Sequence, residues 1–329
     1  MSVLSLEIPN KNTSIDDETR FFNHLKVRKR RELYLTAACA AAGICVLGVD
    51  STGLLTIFKN ALGGFSPETL THPTGPVNAH SGILNGILGS FYTGVIGSVI
   101  GTTIGFASAF WRTFHGNRWG NYFDVSSSSL LSLPTIIYGV LISYYLVIPM
   151  GGTSAAVGGI ALGAVAAPIV YQYTMNAVRL VPRHYWEAAY CMGLSNWQTA
   201  RHVAWPILRN ALIAGALLAA GRILGEAAPL TLTAGFSQFV EPYILSDTLT
   251  LQTIISTYGK NGLQVAGKLA WEAAGTMSAV TLGMLVAARY LTSQPNQRPK
   301  RASAFLHTGT AALARIRPRR RRSNLTPGL

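Results

Sequence analysis

Between Arg209 and Thr233 the only ionisable side chains are Arg222 and Glu226, four residues apart in an apolar run. Ionisable groups inside a membrane-length apolar run are costly, and by default they mark a path for substrate or ions. A guanidinium offers planar, paired donors that match an oxyanion. A carboxylate repels a fully deprotonated oxyanion but accepts a hydrogen bond from a protonated one. The pair would therefore favour hydrogen phosphate over sulfate. The same spacing equally suits an intrahelical ion pair that holds a bundle together, and the two residues alone support both readings. Counted from a helix start at Leu208, Arg222 falls about 21 Å along the axis, past the middle of a bilayer. Glu226 is then expected one turn further out on the same face.

Other chemistry is missing from the chain. There is no GxxxxGK[ST] loop, so the chain is not expected to hydrolyse ATP itself. The histidines are scattered without metal-ligand spacing, and Gly151-Gly152 and Gly158-Gly159 stand in apolar surroundings unlike a nucleotide loop. Three cysteines without CxxC spacing give no disulfide framework or metal site. Cys39, Cys45 and Cys191 are expected to be small apolar packing residues. A membrane-embedded enzyme using Glu226 or Asp50 would need a nucleophile or metal cluster beside them, and the sequence supplies neither.

The elements that must position this pair are membrane helices. The chain has 329 residues, 49% hydrophobic and 12% charged, against about 25% charged in a soluble domain. A span needs about 20 predominantly apolar residues, and six candidates emerge at 33–58, 83–111, 126–148, 154–178, 208–232 and 269–291. Of the 27 basic residues, 23 fall on one side of this six-span pattern. The positive-inside rule makes that side, and both termini, cytoplasmic. Residues 1–32 are polar and lack a secretory signal pattern, so the first run is expected to stay as an anchor. Residues 33–292 form the transmembrane domain. Residues 293–329 read as a disordered basic tail that grips anionic lipid; no nucleic-acid partner is expected, because the net charge of +14 sits in ends and loops rather than on a folded face.

Glycines at 97, 101 and 105 form a small-residue ladder in the second span, suited to close helix approach, and Gly221 and Gly225 repeat the spacing in the fifth. Pro134, Pro149 and Pro168 lie in or beside helical stretches and would kink them. Past the fifth span, residues 233–268 are external, and Asp247-Thr248 could cap a short helix ending near Ser256.

The loop at 182–206 is too patterned for a plain connector. Pro182 suits a first helical turn, and that helix is expected to stop at Gly193. Ser195-Asn196-Trp197-Gln198 has the form of a capping box. It starts a second helix that Pro206 is expected to break near Ala204. The product is a helix–turn–helix knob offering Glu187, Tyr190, Trp197 and Arg201.

Glu187-Ala188-Ala189, Gly193 and Val203-Ala204-Trp205-Pro206 resemble the EAA-x3-G-x9-I-x-L-P loop of ABC importer permeases, with Val203 in place of Ile and Trp205 in place of Leu. Over roughly residues 80–292 the chain is most similar to phosphate permeases of the PstA type. Three segments carry that likeness: 132–139 around Pro134 and Gly139, 179–182 with Arg179 and Pro182, and 220–230 around Arg222 and Glu226. Ala227 stands where the family has Thr.

The resemblance implies an all-α polytopic membrane protein with six transmembrane helices and the ABC importer permease (MetI-like) fold. It implies that Glu187, Ala188, Ala189, Gly193, Trp197 and Pro206 couple the knob to an ATPase. Arg222, Glu226 and, near the exit, Arg179 would line the path. The implied partners are two ABC ATPase subunits, which bind the ATP and Mg, a second, PstC-like permease and an external phosphate-binding protein. This chain is expected to hold no cofactor. The same machine for sulfate, molybdate or an amino acid is the nearest alternative.

Overall fold

The computed structural model describes residues 11–64, 66–75, 81–114, 118–239, 243–261 and 263–293. The chain divides into two compact units, Met1–Phe65 and Ser66–Leu329. The described residues of the first form a single helix, α1 (Lys11–Gly64), whose stretch Arg31–Gly64 is long and apolar enough to cross a membrane. The ten residues ahead of Lys11 and the tail from Gln294 lie outside the described residues.

The regular elements among the described residues of the second unit are all helices. Its spans are α3 (Leu84–Phe114), a bent pair, α7 (Ala155–Arg179), a helix over Asn196–Ile223 and α13 (Gln264–Ser293). Short helices α2 (Pro67–Thr71), α11 (Ala228–Thr233) and α12 (Leu251–Tyr258) fill the end of the bundle where α3 begins.

The glycine ladder of the second span sets the central contact. On α3, a methyl group at Gly97 would lie 2.7 Å from Leu162 Cβ and one at Gly105 2.6 Å from Val170 Cβ, both on α7. Gly159 and Gly163 answer from α7 against Ile96 and Ile100. Backbone thus meets backbone from both sides, the device by which helices associate where no hydrophobic drive exists. Helix α7 becomes the buried axis of the unit. Gly221 and Gly225 do not repeat this. Nothing but Met284 and the Thr281 carbonyl comes within 4 Å of a Cβ on Gly221, at 3.8–4.0 Å, and Gly225 lies outside the helix.

Two of the expected spans and one loop helix differ from their sequence outline. The third span is broken: Gly120–Ser132 of α4 (Arg118–Ser132) and Thr135–Met150 meet at 100°. Pro134 has no N–H to donate and pushes Leu133 away from helical dihedrals. The second limb comprises α5 (Thr135–Ile142), a π-helical turn at Ser143–Val147 and α6 (Ile148–Met150). The expected break at Pro206 does not occur. Helix α9 (Asn196–Thr199) continues through a π-helical turn, Ala200–Ala204, into α10 (Trp205–Ile223). A π turn re-routes the hydrogen-bond ladder just where the proline withholds a donor. Finally, the fifth span ends at Ile223 rather than Leu232. Gly225 and the following Pro229, which suits only the first turn of α11, interrupt it.

At this end of the bundle α12 is capped by Thr250 with Thr253 in a capping box, and not by Asp247-Thr248 as the sequence suggested. Asp247 instead accepts from the Thr153 hydroxyl. The cysteines at 39, 45 and 191 are free and exposed, so the packing role expected of them is not met within this chain.

Candidate functional site

The knob forms as its residues demand. Helix α8 (Arg183–Cys191) starts after Pro182, and Gly193 turns the chain at φ +75°, the left-handed conformation that glycine adopts without steric cost. Ser195 then caps α9: its hydroxyl accepts from the Gln198 N–H at 3.3 Å while Gln198 Oε1 accepts from the Ser195 N–H at 2.9 Å. The knob docks on the end of α3 through an edge-on contact of Phe114 and Trp186, 5.9 Å between ring centres.

Of the residues expected to engage a partner, Glu187, Ala188, Gly193 and Pro206 are exposed, and Trp197 is 73% exposed. Ala189 is buried and holds α8 against the unit. Among the described residues Glu187 pairs only with Arg183, one turn away at 3.2 Å, with both side chains in solvent. Such a pair contributes little to stability and leaves the carboxylate accessible.

The second candidate group lies at the opposite end of the bundle, where α10 stops. Arg222 occupies the last turn of α10, where a cation complements the helix dipole, and it is exposed. That turn is pinned from below. The Gln252 amide, buried in α12, donates to the Leu224 carbonyl at 2.5 Å, and the Ser90 hydroxyl donates to Gln252 Oε1 at 2.9 Å.

Because the helix ends at Ile223, Glu226 is not one turn further along the face of Arg222. It sits in the turn before α11, half-buried, and the expected intrahelical ion pair is not formed. Glu226 instead accepts a hydrogen bond from Thr135 Oγ1 at 2.9 Å, across the chain fold. The Pro134 elbow makes this possible. It lays α5 on α11, so closely that a Cβ at Gly139 would stand 2.8 Å from Pro229 Cα. The structure therefore brings Arg222, Glu226 and Thr135 to one end. Arg179, the last residue of α7, is at the knob end and is not part of this group.

Comparison with known proteins bears on both groups. The model of the family described as "Binding-protein-dependent transport system inner membrane component" matches residues 101–295. The chain belongs to that family. This binding-protein-dependent permease is also 30% identical over 232 residues to the phosphate transport system permease protein PstA of Haemophilus influenzae, covering 70% of this chain and 82% of that one. It is 30% identical over 270 residues to the protein of the same name from Xylella fastidiosa (strain Temecula1), covering 80% and 94%. Among solved structures, the inward-facing MetNI methionine ABC transporter aligns with a TM-score of 0.49 at 20% identity, over 64% of this chain and 94% of that one. The permease is accordingly an all-α, multi-pass membrane protein and a transport subunit of a binding-protein-dependent ABC importer.

One polar cluster in the permease lies outside the residues singled out from the sequence. Arg112 Nε stands 3.1 Å from Asp124 Oδ2, and Tyr171 Oη donates to Asp124 Oδ1 at 2.6 Å. The three residues tie α3, α4 and α7 together at the knob end. Asp124 is the single acidic residue between Glu68 and Glu187, a signal that could have drawn attention to it. Its partners lie 12 and 47 positions away, beyond the reach of any local motif.

Proposed function

We propose that this chain is the phosphate-conducting permease subunit of an ATP-driven importer, with the knob as its coupling element and the Arg222 end as part of its path. The observation that carries the reading is Arg222: an exposed guanidinium at the end of an apolar helix, with no carboxylate partner among the described residues. Two relatives whose names describe phosphate permeases support the choice of solute.

The knob side is the cytoplasmic side in this reading, because the basic residues gather there, and both termini lie on it. Two ATPase subunits hold the ATP and Mg; this chain holds no cofactor. ATP-driven closure presses on Glu187, Ala188, Gly193 and Trp197. Ala189 transmits the load inward, and the continuous helix over Asn196–Ile223 carries it past Pro206 to Arg222. A second, PstC-like permease completes the path and an external binding protein delivers phosphate to it. Arg222 takes the oxyanion through paired donors, and Glu226 accepts a hydrogen bond that phosphate can give and sulfate cannot. Arg179 acts separately, near the cytoplasmic exit. The basic tail grips anionic lipid.

Uptake of labelled phosphate by the assembled transporter tests the path. Arg222→Ala and Glu226→Gln should each lower uptake at least tenfold while leaving assembly intact. Wild-type uptake in both, in normally assembled complexes, would refute a path role.

A further inference from the structure

Thr135 has no place in the reading just given, yet its hydroxyl holds the only hydrogen bond seen on the Glu226 carboxylate among the described residues, at 2.9 Å. We infer that Thr135 is a positioning residue that keeps Glu226 away from Arg222, so that the guanidinium stays free for the transported anion. The inference rests on the path role proposed for Arg222.

The argument starts with chain spacing. Arg222 and Glu226 are four residues apart, which on a continuous helix would pair them. The end of α10 at Ile223 removes that alignment, and the intervening residues, Ile223 to Gly225, keep Glu226 within a short chain length of Arg222. Left to itself, a half-buried carboxylate would seek the nearest cation, because an unsatisfied charge is costly away from water. Pairing would neutralise the donor that the substrate needs.

Three features prevent it. The elbow at Pro134 turns the chain by 100° and makes Thr135 the first residue of α5. The close approach at Gly139 fixes α5 against α11. The start of α5 is also the positive end of its dipole, where a carboxylate is favoured. Gln252 holds the last turn of α10 on the other side. The acid and the base of the site are thus secured by different elements, and both stay available to a partly protonated oxyanion.

The test measures phosphate uptake kinetics in the assembled transporter for Thr135→Val, Thr135→Ser, Glu226→Gln and the double variant Thr135→Val with Glu226→Gln. Thr135→Val should raise KM for phosphate roughly tenfold with a smaller change in kcat, the size expected for one hydrogen bond to a charged group. Thr135→Ser, which keeps the hydroxyl, should stay close to wild type. In the Glu226→Gln background Thr135→Val should add nothing, since no carboxylate is left to capture Arg222. The inference is overturned if Thr135→Val transports like wild type, if Thr135→Ser fails equally, or if the Thr135→Val defect persists undiminished beside Glu226→Gln. Arg222→Ala serves as the separate arm. Wild-type uptake there refutes the path reading itself, whereas loss of uptake there with a silent Thr135→Val refutes only the role of Thr135.

Discussion

Along the α3–α7 seam the chain is held by shape, with glycines at 97, 101, 105, 159 and 163 letting two backbones meet. At the Pro134 elbow it is held by a few polar groups at places where helices stop. The seam has no charge and no slack; the elbow has an exposed cation, a half-buried acid and helix ends whose backbone groups need partners. The difference separates frame from site. A methyl group should ruin the first and be tolerated beside the cation of the second, at Gly221, where a Cβ meets nothing closer than 3.8 Å, while a change of one polar atom should do the reverse.

The sharpest way to break the comparison is to put bulk on the seam. Gly101→Leu drives a side chain into Ala166 and should cost about 3 kcal/mol or more, the upper range for overpacking. Thermal unfolding of the detergent-solubilised protein would show it as a large loss of folded material. Gly221→Ala, beside Arg222, should shift the same curve by less than about 0.5 kcal/mol; an equal penalty at both positions would erase the distinction.

The polar cluster at the knob end should be intermediate. Asp124→Asn weakens the link to Arg112 and alters the bond from Tyr171, and should cost about 2 kcal/mol because two partly buried donors lose their charged acceptor. The same unfolding assay reads this, and a neutral result would remove the cluster from the frame.

The smallest effect is expected at the knob. Gly193 has open space around a Cβ but φ +75°, so Gly193→Ala pays only the left-handed backbone cost of about 1 kcal/mol. Its ATP-driven transport should fall by more than its stability does, as read by uptake against unfolding in one preparation.

Much of the frame was legible in the sequence. Apolar run length marked the spans, the ladder at 97–105 marked the seam, and Gly193 with Ser195-x-x-Gln198 marked the knob, because each rests on neighbours within one or two turns. What was hidden depended on angle or on distant partners. Hydropathy cannot register a 100° bend at Pro134, since both limbs are apolar. Reading Arg222 and Glu226 as helix neighbours overlooked Gly225 and Pro229, which end one helix and begin another. Pro206 was misjudged in the opposite direction, because a π turn ahead of it lets the helix run on. Thr135 could meet Glu226 only through a fold that joins positions 91 residues apart.

The π turn at Ala200–Ala204 has one further effect, on rotation rather than continuity. Each residue advances an α-helix by about 100°, and a π turn carries one residue more than the α-turn it replaces. Deleting a single residue there would let the turn close as an ordinary α-turn and leave the knob facing as before relative to Arg222, whereas the same deletion within α10 would swing it by about 100°. The π turn is thus the one place on this long helix where the chain can lose a residue without re-aiming one end against the other.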